Sequence, residues 1–382
     1  MTETIPTRGF DILPPELFIA ITDFLDSPRD ILLLISASPA ALRLFESNRR
    51  KALHSTVTNI QNQLGGDSLV PLAIFAARLR MANHKYHHLD IKSAKEKIEP
   101  ILTSMWPWSQ SAEQFPWKVN LLWLISLTSL LSDVQSALSD YAPQFWKKSG
   151  SYERTSWVSC PQSESELSTS ERLRFVDSFL RFDSYCHAYL HCSNPRRPCD
   201  NSRQQRLFSP FLHGISKREA SLQSLMLMPF RYNIFEFIQD GHEVLMLSVE
   251  DSLRARTEIQ QPQPEDAQVR SIMKQARPAG PSARDWVKRQ LQIWRFQNKS
   301  RKDQKRYLHH LCMQGYPLLA YFQKLDAQAL EDFTLETFFN VTFLPTWDST
   351  TPQLDHYRKI ITRWDANKLF WDSSRLNFVI LG

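Results

Sequence analysis

The sequence predicts an all-α protein, with a short N-terminal three-helix motif followed by an irregular multi-helix domain. Glycine is scarce, at 9 of 382 residues, whereas β-rich folds use glycine for tight turns. Apolar residues recur at helical spacing rather than in alternation. The chain also lacks an internal repeat of about 20–50 residues, which would predict a solenoid or a propeller.

The first fifty residues contain start signals for three short helices. The first helix has an apolar stripe at four-residue intervals, formed by Leu13, Leu17, Ile21 and Leu25. Ser27–Pro28 and Ser38–Pro39 each place an N-cap serine before a proline at the first helical position, which predicts the second and third helices. Asp30 adds a favourable negative charge to the first turn of the second helix. We expect the third helix to run on to the break at Gly65–Gly66.

Periodicity predicts further helices throughout the rest of the chain. Their ranges are 69–82, 91–105, 117–138, 164–190, 244–256, 283–296, 303–313, 317–325, 327–339 and 353–363. Residues 143–168, rich in serine, and residues 260–282, rich in proline and glutamine, are predicted loops, the second being a linker. The predicted domains are therefore residues 8–55 and residues 66–382.

The cysteine content and the apolar stretches predict a cytoplasmic or nuclear protein. Five cysteines are few for this length and odd in number, which favours a reducing compartment. The N-terminus lacks a basic segment followed by an apolar one, so no signal peptide is predicted. Residues 119–131 form the longest apolar stretch, which is shorter than the ~18–20 residues that span a bilayer. We interpret this stretch as a buried core helix and predict no membrane association.

The N-terminal helices are too apolar and too short to be stable alone. Residues 31–35 are consecutively apolar, and the first helix carries Phe18 and Ile19 beside its main stripe. A helix that is apolar all round must be covered on all sides, and roughly 40 residues is at or below the size of a self-sufficient core. Either the rest of the chain or another protein must therefore cover them.

The spacing in this region resembles an F-box, in the subtype common among filamentous fungi. The matching positions are Leu13-Pro14-x-Glu16-Leu17, Ile21, Leu25, Asp30-Ile31, Leu34, Ala37-Ser38-Pro39, Phe45 and Arg49. Weaker similarities occur at residues 181–186 and 370–372. Ala41 and Leu42 depart from the pattern, because many F-boxes carry a tryptophan there.

The resemblance implies a substrate receptor of an SCF-type cullin–RING ubiquitin ligase. Such a protein binds the ligase adaptor, and through it a cullin, and presents a protein substrate, here unidentified, to the ubiquitin-loaded enzyme; proximity is its contribution to the rate. The residues implied in adaptor binding are Leu13, Pro14, Glu16, Leu17, Ile21, Leu25, Leu32, Leu33 and Ile35. The alternative is a non-catalytic helical scaffold in which the F-box-like hairpin is core. Exposure of these residues favours the receptor, and their burial favours the scaffold.

No enzyme activity, cofactor or metal is predicted. The sequence has no Gly-rich phosphate loop, no Gly-x-Ser-x-Gly, no His-Glu-x-x-His and no Cys-x-x-Cys. Cysteines and histidines do cluster between Cys186 and Cys199, and His187 and His191 share a helical face. However, Cys186 and Cys192 are six residues apart, whereas paired zinc ligands are typically about two to four apart. A helix docked in the core is therefore favoured over a zinc site.

The net charge of +6 is concentrated in one segment. Residues 270–306 hold twelve Lys and Arg against two acids, so 12 − 2 = +10. The candidate partner surface comprises Lys288, Arg289, Arg295, Lys299, Arg301 and Lys302, interleaved with aromatic residues. We favour a solvated helix face first, an acidic protein partner second and nucleic acid third. Residues 299–306 also fit a nuclear import signal.

Overall fold

A computed structural model describes residues 10, 13–86, 88–104, 116–152, 164–191, 205–206, 230–257, 281–312 and 314–343. The α-helices are α1 Pro15–Asp23, α2 Pro28–Ala37, α3 Pro39–Ala52, α4 His54–Gln63, α5 Val70–Tyr86, α6 Ile91–Ser104, α7 Leu121–Tyr152, α8 Thr169–Tyr189, α9 Phe230–Thr257, α10 Pro281–Gln297, α11 Arg301–Cys312, α12 Tyr316–Phe322 and α13 Ala327–Phe343. Short 3-10 helices occupy Trp117–Val119 and Glu164–Glu166. Strands β1 (Leu190–His191) and β2 (Gln205–Arg206) form one antiparallel pair. The all-α prediction is confirmed.

The chain divides into two compact units. The first contains residues 1–84, 98–184 and 370–382, and the second contains residues 85–97 and 185–369. The N-terminal helices thus belong to the same unit as α7 and most of α8. The predicted domains, residues 8–55 and residues 66–382, stay a prediction.

Both serine–proline starts form as predicted. The Ser27 hydroxyl accepts a hydrogen bond from the Asp30 amide at 3.3 Å, and the Asp30 carboxylate accepts one from the Ser27 amide at 3.1 Å, which completes a capping box. The Ser38 hydroxyl accepts from the Ala41 amide at 3.3 Å. Gly65 and Gly66 have φ values of +66° and +94°, a left-handed backbone conformation that glycine tolerates better than other residues. The helical conformation therefore breaks at these two glycines, as predicted.

The prediction of a single third helix up to Gly65 is wrong. Helix α3 ends at Ala52, and α4 starts at His54 after Leu53, whose φ of −104° and ψ of 0° are non-helical. Within α3, Asn48 is already non-helical, and its side-chain amide donates to the Leu44 carbonyl at 3.0 Å. Leu53 is 0% exposed, so the residue that separates α3 from α4 has a fully buried side chain.

Helix α7 is longer than predicted. The loop expected from residue 143 is wrong as far as Tyr152, because the helix continues to that residue. Its start is capped by Asn120, whose side-chain oxygen accepts from the Leu122 and Trp123 amides at 3.1 and 3.3 Å. In the described part of the chain, Leu121–Tyr141 is the one helical stretch long and apolar enough to cross a membrane by length and composition alone. Helices α2 and α4 pack against α7, and its buried residues recur on one face, as in a core helix.

A partly buried ion-pair network joins three helices of the first unit. The Arg80 guanidinium on α5 donates two hydrogen bonds to the Asp183 carboxylate on α8, both at 2.7 Å, and one to Asp133 on α7. Burial alone would lower the pKa of Arg80, but the carboxylates of Asp183 and Asp133 raise it above its ordinary value. The network fixes α5 against α7 and α8.

The second unit has an aromatic core. Helices α9 and α11–α13 contribute to it with α10. The rings of Phe296 and Tyr307 each meet the Phe338 ring edge-on, with centroids 5.1 Å apart. Predicted helix 244–256 starts earlier, at Phe230. Predicted helix 353–363 and nearly all of loop 260–282 lie outside the described residues.

Candidate protein-binding surface

The N-terminal helices share a small core with α3 at its centre. Helix α3 packs against both α1 and α2. The core side chains are Phe18 of α1, Ile31 of α2, and Ala41 and Phe45 of α3, with exposures of 0, 1, 0 and 2%. Ala41 is thus an interior residue.

Helix α1 buries the face that carries Phe18 and Thr22, which lies next to the face that carries its leucines. Phe18 and Thr22 point inward, and Thr22 is only 2% exposed. The Thr22 hydroxyl donates to the Ile19 carbonyl at 2.8 Å, which satisfies this polar group without a partner from another helix. Leu17, by contrast, is 54% exposed. Since successive helical residues are about 100° apart, Leu17 and Phe18 serve different faces.

Apolar side chains are exposed repeatedly in this region. Leu33 of α2 is 60% exposed, Leu42 of α3 is 39% exposed, and Phe24, in the turn after α1, is 87% exposed. Pro14 is also exposed. Ten large apolar residues of the described structure are exposed, and four of them (Leu17, Phe24, Leu33 and Leu42) lie between residues 17 and 42. We call Pro14 and these four side chains the N-terminal apolar set.

The residues predicted to bind the adaptor are all accessible to some degree. Pro14, Glu16, Leu17 and Leu33 are exposed, and Leu13, Ile21, Leu25, Leu32 and Ile35 are half-buried. Sequence reasoning missed Phe24. The signal was present, because Phe24 follows Leu17 by seven residues and Ile21 by three, and such spacings place side chains on one helical face.

Charged side chains accompany the N-terminal apolar set. Glu16, Asp23, Asp26, Arg29 and Arg43 are all exposed on or between α1, α2 and α3. Apolar side chains with charged residues beside them are the usual anatomy of a protein–protein interface, with an apolar centre and a polar rim. The composition therefore fits a protein partner.

Four of the six predicted basic residues are engaged within the second unit. Arg289 bridges Glu331 and Asp332 at 2.7 and 2.5 Å, and Arg295 meets Asp303 at 3.0 Å. The remaining engaged pairs are Lys288 with Glu336, at 3.7 Å, and Lys299 with Glu250. Arg301 and Lys302 are exposed, and no salt bridge to them is found in the described part of the chain.

The cysteine–histidine cluster is only partly described. Cys186 is buried, and its sulfur lies 3.9 Å from the Cys312 carbonyl oxygen. Burial first, and the Glu243 carboxylate second, raise the pKa of the Cys312 thiol. Cys192 and Cys199 lie outside the described residues. Among those described, no group of three or more His, Cys, Asp or Glu side chains is placed to hold a metal ion.

The exposed apolar residues of α1–α3 form the candidate site best supported by geometry. No family model, curated protein or solved structure matches this chain. What the surface binds is therefore inferred from the burial and chemistry of its own side chains.

Proposed function

We propose that this chain is a substrate-receptor subunit of an SCF-type cullin–RING ubiquitin ligase and that α1–α3 bind the ligase adaptor. The observation that carries the proposal is the N-terminal apolar set, above all Leu17 and Leu33, at 54% and 60% exposure. The spacing along α1–α3 resembles an F-box, and serine caps fix the starts of α2, which carries Leu33, and of α3.

The exposure has a direct energetic consequence. Apolar surface that stays in contact with water contributes nothing to folding, and clusters of it mark interaction sites. The inward residues Phe18, Ile31 and Phe45 already hold the three helices together. The outward stripe is thus available to a partner, and docking removes it from water without rearranging the core.

In this proposal the chain performs no chemistry. The adaptor connects it to a cullin, and helices outside α1–α3 bind the substrate protein. Holding the substrate near the ubiquitin-loaded enzyme converts an encounter between separate molecules into one within a complex, which is a large rate term.

The scaffold alternative makes a different prediction about α1 and α2. If the hairpin were only core, Leu17 and Leu33 would be covered by the rest of the chain. Their exposure supports the receptor proposal over this alternative.

The test is adaptor co-purification with a double variant, Pro14→Ala with Leu17→Ala. Both residues are exposed, so the fold is retained while the first anchor of the docking surface is removed. We expect loss of the adaptor from the purified complex. Leu247→Ala is the matched control, because Leu247 is a leucine at 55% exposure on α9. Undiminished recovery of the adaptor by the double variant would contradict the proposal.

A further inference from the structure

The start of α11 carries three basic residues, Arg301, Lys302 and Lys305, which we call the basic ridge. All three side chains are exposed. In an α-helix, positions 301, 302 and 305 fall within about 100° of one another, so they share one face. Within the described residues, none of the three forms a salt bridge. The ridge is therefore a patch of three positive charges open to solvent.

The acids nearest in sequence or packing are already engaged. Asp303, the one acid of α11, is 9% exposed, pairs with Arg295 at 3.0 Å and also accepts hydrogen bonds from Ser300. Glu250 on α9, which packs against α11, pairs with Lys299. These intramolecular pairs neutralise Arg295 and Lys299, and no salt bridge from either acid to the ridge is found among the described residues.

Folding does not explain the ridge. Arg301 and Lys302 lie in the first turn of α11, where the helix dipole disfavours positive charge. Arg301 and Lys305 are also four residues apart, a spacing at which like charges destabilise a helix. The helix therefore gains no stability from these three charges, and they are available to a partner.

The burial of the nearby aromatic residues indicates whether the ridge suits a nucleic acid or the acidic side chains of a protein. The sequence interleaves aromatic residues with cations here, as a single-stranded nucleic-acid surface would. In the structure, however, Phe296 and Tyr307 are both 0% exposed and pack in the core of the second unit. The two aromatic residues nearest the ridge in sequence therefore offer no stacking surface to a base. From residue 301 to residue 305 the helix rises only about 6 Å, which matches a few carboxylates rather than a long run of phosphates.

We infer that the basic ridge binds a carboxylate-rich peptide segment of a protein partner. Three cations along one face of a rigid helix offer charge complementarity to a short run of Asp and Glu side chains. That this segment belongs to the ligase substrate rests on the function proposed above. The ridge then gives that substrate a chemical class, a protein with an exposed acidic stretch.

The experiment uses the purified full-length chain and a fluorescein-labelled octaglutamate peptide at low salt. The variant is the triple change Arg301→Gln, Lys302→Gln and Lys305→Gln. We expect it to weaken peptide binding at least about tenfold, since three attractive charges are lost. Wild-type binding should also weaken when sodium chloride is raised from about 50 to about 300 mM, because salt screens exposed charges.

The matched control removes three exposed lysines elsewhere in the second unit: Lys92→Gln, Lys97→Gln and Lys324→Gln. It changes the net charge equally, so we expect it to bind the peptide within about twofold of wild type, since nothing it removes touches the ridge. An equal loss in both triple variants would overturn the inference, as would absence of wild-type binding or tighter binding of a labelled octathymidylate. Because glutamine removes repulsion within α11, the ridge variant should melt no lower than wild type, which separates lost binding from lost folding.

A second readout separates this inference from the proposed function. The ridge variant should still co-purify the adaptor. If peptide binding fails while the adaptor binds, the ridge inference alone falls. If the adaptor never binds but the peptide does, the proposed function falls and the ridge remains an acidic-peptide site.

Discussion

Truncating Leu17 and Leu33 to alanine should weaken adaptor binding while leaving the fold intact. Both side chains are more than half exposed, at 54% and 60%, so each contributes less than half of its surface to the core. Both also lie within helices, where alanine is the most favourable residue. The parts of the two side chains that are already buried are worth about 1 kcal/mol each at about 0.8 kcal/mol per carbon, so the free energy of unfolding should fall by no more than about 2 kcal/mol.

The expected loss of affinity follows from the exposed fractions. Replacing leucine by alanine removes about three carbons, worth about 0.8 kcal/mol each when fully buried, or about 2.4 kcal/mol. Docking can bury only the part that is still exposed. Scaling by the exposures of 54% and 60% gives about 1.3 kcal/mol for Leu17 and about 1.4 kcal/mol for Leu33. The sum, about 2.7 kcal/mol, corresponds to a roughly 100-fold rise in Kd.

Titration calorimetry with purified adaptor measures this rise directly. The control is Val244→Ala with Leu247→Ala on α9, whose side chains are 65% and 55% exposed. It removes comparable exposed apolar surface outside α1–α3 and should leave Kd unchanged. A Kd for the Leu17 and Leu33 variant within about threefold of wild type would refute the assignment of these residues to the interface.

Three further predictions concern stability. Phe18→Ala, at a fully buried core position, should lower the free energy of unfolding by about 3–5 kcal/mol, measured by urea denaturation, and a loss below about 1 kcal/mol would contradict its placement. Asp183→Asn should cost about 1.5–3 kcal/mol, because Arg80 loses one of its two charge-assisted hydrogen bonds to residue 183 but keeps its pair with Asp133; urea denaturation checks this, and an unchanged midpoint would count against the network. Burial first, and the charge of His310 second, lower the pKa of His242 to about 3, whereas an unfolded histidine titrates near pH ~6.5. The neutral His242 therefore stabilises the folded state fully above about pH 6.5, and this stabilisation decreases as the pH falls toward 3, by about 2 kcal/mol at pH 5. In His242→Leu, the melting temperature should depend less on pH between about 5 and 6.5 than it does in the wild type, and an equally steep dependence in the variant would contradict this.

Local chemistry explains which parts of the fold the sequence predicts. Ser27 and Ser38 cap helices because each cap needs only its own side chain and an amide three residues on. The break at Leu53 accompanies the full burial of its side chain, which no local pattern encodes. The sequence accordingly predicts helix starts well and several helix ends poorly.

The candidate sites show the same limit. The leucine stripe of α1 is plain in the sequence, but a buried Thr22 beneath it is not, because its hydroxyl is satisfied within its own helix. On the basic segment, the pairing of Arg289 with Glu331 joins residues 42 positions apart. The sequence therefore identifies the cations, and only the structure tells which of them are already neutralised.

Leu17 and Phe18 together separate folding from docking. They are neighbours in sequence and similar in hydrophobicity, yet one is 54% exposed and the other 0%. A helix that served only as core would lose stability on truncation of either residue. A helix with an inner and an outer face loses stability at Phe18 and affinity at Leu17. Because the two effects come from adjacent positions on α1, a difference between them cannot be attributed to a general loss of that helix, and it isolates the outer face as a binding surface.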